Sequence, residues 1–151
     1  MMKKHYLITL LFALCSFALQ AQSPHLFGLT YNGASNDLGS IFRTDLNGQN
    51  HMLADSFDLQ NPGSSPNDNN MVEVNGKVYG LVFSGGVYGL GVLFEFDPLT
   101  KIYSVKHHFK DSIGKLPGKL MLGSNGKLYG TANQGGAFDQ GTLFEYNVTS
   151  N

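Results

Sequence analysis

Tryptophan is absent from the 151 residues, and cysteine occurs once, at Cys15. That cysteine falls inside an N-terminal segment that reads as a leader. The remainder of the chain therefore has no disulfide and no thiol chemistry. Charged residues make up only 14% of the chain, with ten Lys and Arg against eleven Asp and Glu and no run of either sign. A nucleic-acid partner would need a basic stripe, and there is none. Past residue 19 no apolar run approaches the length of a membrane-spanning helix.

The first 21 residues differ in kind from the rest. Lys3 and Lys4 form a charged start, residues 6–19 are almost wholly apolar, and Leu19-Gln20-Ala21 offers a small residue before a cut at Gln22. This is the pattern of a secretory signal peptide. The rival reading is a retained anchor, for which the apolar run is short. Cys15 does not fit a lipoprotein cysteine, because Leu14 precedes it where a small residue is wanted. Removal of the leader leaves 8 basic and 11 acidic residues, a net charge of −3. The expected location is the periplasm, the cell surface or the medium, with no transmembrane span after the leader is removed.

What the chain has in quantity is glycine (19 residues) and Phe and Tyr (11 and 7). Glycine supplies the positive-φ positions of tight turns, and aromatic residues suit pleated surfaces. Both sets are organised by a repeat. Residues 77–97 (KVYGLVFSGGVYGLGVLFEFD) recur at 127–147 (KLYGTANQGGAFDQGTLFEYN), and a weaker copy runs from Leu26-Phe27-Gly28 to residue 45. Gly28, Gly80 and Gly130 lie at successive offsets of 52 and 50 residues. A period of this size indicates an array of small supersecondary units.

The alternation of apolar runs and turn residues predicts strands at 26–31, 39–45, 51–57 and 71–74, then at 78–83, 91–97, 102–109 and 119–122, then at 128–132 and 141–147. Asn47-Gly48, Asn75-Gly76 and Asn125-Gly126 are the tightest turn signals. Four short strands per unit of about 50 residues fit a four-stranded antiparallel blade of a β-propeller-like array. The units are about 26–77, 78–127 and 128–151, so the domain at 22–151 holds about two and a half of them, a partial propeller. Ile41, Leu93 and Leu143 align, as do their neighbours Phe42, Phe94 and Phe144. Adjacent strand residues face opposite sides, so both sheet faces are apolar, as in a sheet packed between two others. A two-sheet sandwich, which leaves one polar face, is the second-ranked fold.

Leu128-Tyr129-Gly130-Thr131, Gly135-Gly136 and Gly141-Thr142-Leu143-Phe144 resemble the GloVer tandem repeat of secreted bacterial proteins, and the period and Gly-Gly also resemble kelch repeats. The resemblance covers roughly residues 26–147. It implies an all-β repeat array and brings no catalytic residues with it. Asn32-Gly33-Ala34 departs from the Gly-Gly pattern, Arg43 stands where the other units have Glu95 and Glu145, and unit three lacks its second half. Two and a half units do not close a ring. A fragment of a longer chain is the preferred explanation, ahead of oligomerisation or an open stack with exposed edges.

Residues of catalytic type give no constellation. His107 and His108 face opposite sides of a strand, which predicts one ring in the core and one at the surface rather than a shared metal. The run Asn67-Asp68-Asn69-Asn70 lacks the alternation and glycine of a calcium loop. The Gly-Gly loops lack the lysine and helix of a phosphate loop. Glu95 and Glu145 are equivalent through the repeat, which separates them too far for paired acid–base work. No catalytic residue, metal ligand or cofactor is expected.

The inter-glycine loops differ most between units, and Tyr88, Phe138 and Asp139 on them are the candidate binding residues, for a protein or carbohydrate ligand. The competing expectation is that the two rings pack on the next blade. The expected role is an exported, non-enzymatic binding or structural module. The rival class is part of an extracellular glycan-acting enzyme whose site lies outside this chain.

Overall fold

The computed structural model describes residues 24–58, 62–66 and 71–149, and it is all-β. The leader with Cys15 and the run at 67–70 lie outside the described residues. Ten strands are described: β1 (Leu26–Thr30), β2 (Ser40–Thr44), β3 (Met52–Ser56), β4 (Met71–Val74), β5 (Lys77–Val82), β6 (Val92–Asp97), β7 (Ile102–His108), β8 (Lys115–Leu122), β9 (Leu128–Gln134) and β10 (Thr142–Tyr146). All pairings are antiparallel, in three sheets ordered β1-β2-β3, β4-β5-β6-β7 and β10-β9-β8.

The sheets and the sequence repeat are out of phase by one strand. Asn75 and Gly76 both take positive φ, 54° and 77°, the geometry of a two-residue hairpin turn whose twist matches its strands. A turn that tight forces Val74 opposite Lys77. Strand β4, expected to finish the first unit, is therefore the edge of the second sheet. In the same way β8 pairs forward with β9 and opens the third sheet. Residues 111–117 were expected as a loop, yet β8 begins at Lys115. Its early part is held by the Leu116 N–H donating to the Leu90 carbonyl at 2.9 Å, and the register shifts between Pro117 and Leu120. A proline that cannot donate to the ladder belongs at such an irregularity.

Side-chain alternation then builds the stack. In the middle sheet Val82, Val92, Phe94 and Phe96 face the first sheet and share a core with Leu29, Ile41 and Phe57. Tyr79, Leu81 and Leu93 point the other way and share a second core with Phe109, Leu120 and Leu128. The middle sheet is thus covered on both faces, which rules out the two-sheet sandwich.

Each interface repeats one device. Phe57, just past β3, meets the Phe94 ring edge-on at 5.8 Å, and Phe109, just past β7, meets Phe144 edge-on at 5.2 Å. The face of one sheet that carries Ile41 or Leu93 packs on the face of the next that carries Phe94 or Phe144. The Phe ring lies across its own sheet, directly over a glycine in register: Phe42 over Gly28, Phe94 over Gly80, Phe144 over Gly130. A Cβ at Gly80 would stand 2.4 Å from Phe94 Cζ. The Gly-to-Phe spacing of the repeat is therefore a packing requirement.

Candidate functional site

The first and second strands of each repeat unit are joined at the same end by a glycine loop: residues 33–39, 85–91 and 135–141. The backbone closes the second and third in the same way. The Gly91 N–H donates to the Gly85 carbonyl and the Gly141 N–H to the Gly135 carbonyl, both at 3.1 Å. Gly91 has φ of +105°, and a Cβ there would lie 2.7 Å from the Val82 carbonyl oxygen and 2.4 Å from Pro117 Cδ. Loop one keeps the same path although Ala34 replaces the second glycine, because Ala34 itself adopts φ of 59°. The Asn-Gly-Ala departure costs about 1 kcal/mol of local strain without changing the shape. The chain entering the next sheet braces the first two loops from behind: the Leu38 carbonyl accepts from the Ser65 N–H, and the Leu90 carbonyl from the Leu116 N–H. His108 Nδ1 accepts from the Val87 N–H at 3.1 Å and ties loop two to β7.

Asp139 acts as a clamp within this construction. Its Oδ1 accepts from the Gly135 N–H at 2.7 Å, as Asp37 Oδ1 accepts from the Gly33 N–H at 2.7 Å. Lys115 Nζ stands 3.3 Å from the same oxygen. The Gly135 N–H, and then the Lys115 ammonium, hold the Asp139 carboxyl below its usual pKa. Unit two has Gly89 at this position, with φ of 70°, and closes without the clamp.

The loop tips are Asn36, Tyr88 and Phe138. Tyr88 is 55% exposed and Phe138 87% exposed. Both rings are exposed, and among the described residues no sheet follows the third for Phe138 to pack on. The fold places both rings at equivalent tips of loops closed by the same backbone hydrogen bond, with Val87 exposed beside Tyr88.

At the opposite end of the strands lies an arrangement that sequence reading missed. Lys77 Nζ is 2.7 Å from Glu95 Oε1, and the Tyr79 hydroxyl donates to Glu95 Oε2 at 2.5 Å. The third sheet repeats this with Lys127 at 2.5 Å and Tyr129 at 2.8 Å from Glu145. The antiparallel register sets Tyr79 opposite Glu95 and Tyr129 opposite Glu145, so the Lys-x-Tyr and Phe-Glu segments of the repeat were the available signal. Lys106 adds a second cation 3.6 Å from Glu95. Burial works to raise the Glu95 pKa, but the Lys77 and Tyr79 hydrogen bonds and the Lys106 charge outweigh it and hold it below the ordinary value. Glu145 is lowered by Lys127 and Tyr129. Burial, and then Glu95, push the Tyr79 hydroxyl well up. These contacts favour the ionised form of both carboxylates. They fasten each first strand to its second. In unit one His25, Phe27 and Arg43 occupy the three positions, and Arg43 points to Met52 Sδ at 3.7 Å instead.

The two adjacent histidines do face opposite ways, but both are half-buried. His107 meets the Phe109 ring edge-on at 5.2 Å, and burial, with His108 and Lys110 nearby, lowers its pKa. Among the described residues no group of three His, Cys, Asp or Glu is placed to hold a metal ion. A cleft of about 460 Å³ opens between the first two sheets, with His25 and Glu73 as its polar lining. No described helix is long and apolar enough to cross a membrane.

A family model described as the Gloeobacter/Verrucomicrobia repeat matches residues 13–151. No curated protein and no solved structure matches the chain.

Proposed function

The chain belongs to the Gloeobacter/Verrucomicrobia repeat family, and on that premise we propose that it is an exported, non-catalytic module that binds its ligand along the glycine-loop edge. The observation that carries this reading is the pair of exposed rings, Tyr88 and Phe138, at equivalent tips of loops that backbone hydrogen bonds hold in one shape. A large aromatic surface held on a braced loop loses little entropy on binding, which is why Tyr and Phe dominate contact energy at recognition surfaces. The leader pattern at residues 1–21 supports export, and the cell surface or periplasm is the place of action under this reading. The ligand chemistry that fits is a neutral apolar face, with the ring face of a sugar as the first class to test.

Immobilised glycans of the producing organism's own envelope provide that test. Tyr88→Ala and Phe138→Ala are each expected to weaken retention about tenfold. Their thermal midpoints should match the parent, since exposed substitutions shift stability by only about 0.5 kcal/mol. Binding that is indifferent to both changes would move the site away from this edge.

A further inference from the structure

The geometry points to His108 as the residue that positions the tip of loop two and makes ligand binding at that tip depend on pH. The binding part of this inference rests on the loop-edge reading and deepens it. Gly86, Val87, Tyr88 and Gly89 form a four-residue turn, closed by the Gly89 N–H donating to the Gly86 carbonyl at 3.1 Å. The closing bond of such a turn leaves the N–H of its second residue unused. That N–H belongs to Val87, and it donates to His108 Nδ1 at 3.1 Å. The His108 ring sits against Gly86, where a Cβ would stand 2.7 Å from Nδ1. The second glycine of the pair therefore makes room for the histidine as well as for the turn.

Loops one and three are tied by carboxylates, Asp37 on the Gly33 N–H and Asp139 on the Gly135 N–H. Loop two has Gly89 in that place, and its side-chain tie comes from a ring on β7. The difference is chemical. A carboxylate accepts hydrogen bonds at any pH above about 4. A neutral imidazole accepts at one nitrogen only, and protonation turns both nitrogens into donors. Histidine makes that change between about pH 8 and 5. Once protonated, Nδ1–H faces the Val87 N–H, donor against donor, and the tie is lost. The bonds from the Gly91 and Leu116 N–H groups involve no titrating partner, so the release is confined to the tip that carries Tyr88. Unit one has Ser56 at the register of His108, opposite Ser40 as His108 is opposite Val92. The ionisable groups on the elements around the ring are Lys106 and His107 on β7, Lys110 just past it, Glu95 on β6, Tyr88 on the loop, and Asp37 and Asp58 at the same end of the first sheet. Lys106 is paired with Glu95, and among the described residues no ion pair involves His108.

Amide-detected NMR of the purified, isotope-labelled chain between about pH 8 and 5 tests the tie without any ligand. The Val87 amide should titrate with the same midpoint as the His108 ring protons, while the Gly91 amide stays in place. His108→Asn sets a non-titrating amide oxygen near the Nδ1 position, and His108→Leu supplies no acceptor. On immobilised envelope glycans the parent should lose retention about fivefold as the pH falls through that window. The asparagine variant should bind at both ends as the parent does at the upper end, and the leucine variant as the parent does at the lower. A Val87 amide that ignores the His108 titration overturns the proposal, as does an asparagine variant whose retention falls with pH like the parent's. Retention absent at every pH would sink the loop-edge reading and the binding part with it, while the Val87 titration still decides whether His108 holds the tip.

Discussion

Truncating Phe94 to alanine is expected to lower the free energy of unfolding by about 4 kcal/mol, near the upper end for a buried ring. Phe94 is completely buried and forms part of the core between the first two sheets. It touches Phe57 edge-on at 5.8 Å and stacks on Tyr103 at 5.2 Å. Its ring also covers Gly80, so the cavity would reach the backbone of β5 and could not close by side-chain movement alone. A domain of this size has roughly 5–15 kcal/mol in total, so the change removes a large share of it. The same truncation at Phe144 should cost clearly less, because Phe144 is only half-buried at the outer sheet. Urea unfolding of the two variants measures the difference. Equal losses would mean that the middle sheet is not the one covered on both faces.

The second large effect is expected at Glu95. Glu95→Ala removes the acceptor from the buried Tyr79 hydroxyl and the counter-charge from Lys77 and Lys106. A buried hydroxyl left without a partner costs about 2 kcal/mol. Glu145→Ala removes the same contacts from the third sheet, where the pair is exposed and solvent replaces them, so its midpoint should barely move. The acid side of the stability curve separates the two further. Glu95 has its folded pKa below the ordinary value of 4.5. Its contribution is therefore complete above about pH 4.5 and is lost as the pH falls through the folded value. The parent should lose stability over that window more steeply than Glu95→Ala, which has no such group to protonate.

Both comparisons rest on what the sequence shows most plainly, that equivalent residues occupy equivalent places. The strands, the repeat and the two apolar faces were legible because Ile41-Phe42, Leu93-Phe94 and Leu143-Phe144 put one large apolar residue on each side of a period-two element. The phase of the sheets was not legible from the repeat, because a repeat can be cut at any strand. The Asn75-Gly76 turn carried that information through its length, since two residues leave β4 no strand to pair with but β5. The Lys–Tyr–Glu clusters join residues 16 and 18 positions apart, and they become visible only when Gly80 is set opposite Phe94. The Asp139 hydrogen bond to the Gly135 N–H was not legible, because a loop carboxylate looks the same in sequence whether or not it caps its own loop. The exposure of Tyr88 depends on how far the next sheet reaches, a tertiary distance that no local pattern encodes.

Amide hydrogen exchange resolved strand by strand tests the stacking of the three sheets most directly. Exchange in the best protected elements requires the most global opening. Strands β5 and β6 pair on both sides and carry packed sheets on both faces, so they should exchange slowest. Strand β9 also pairs on both sides but has one uncovered face, and it should exchange faster than they do, with β3 and β10 faster still. Protection in β9 equal to or above that in β5 and β6 would contradict a middle sheet held between two others.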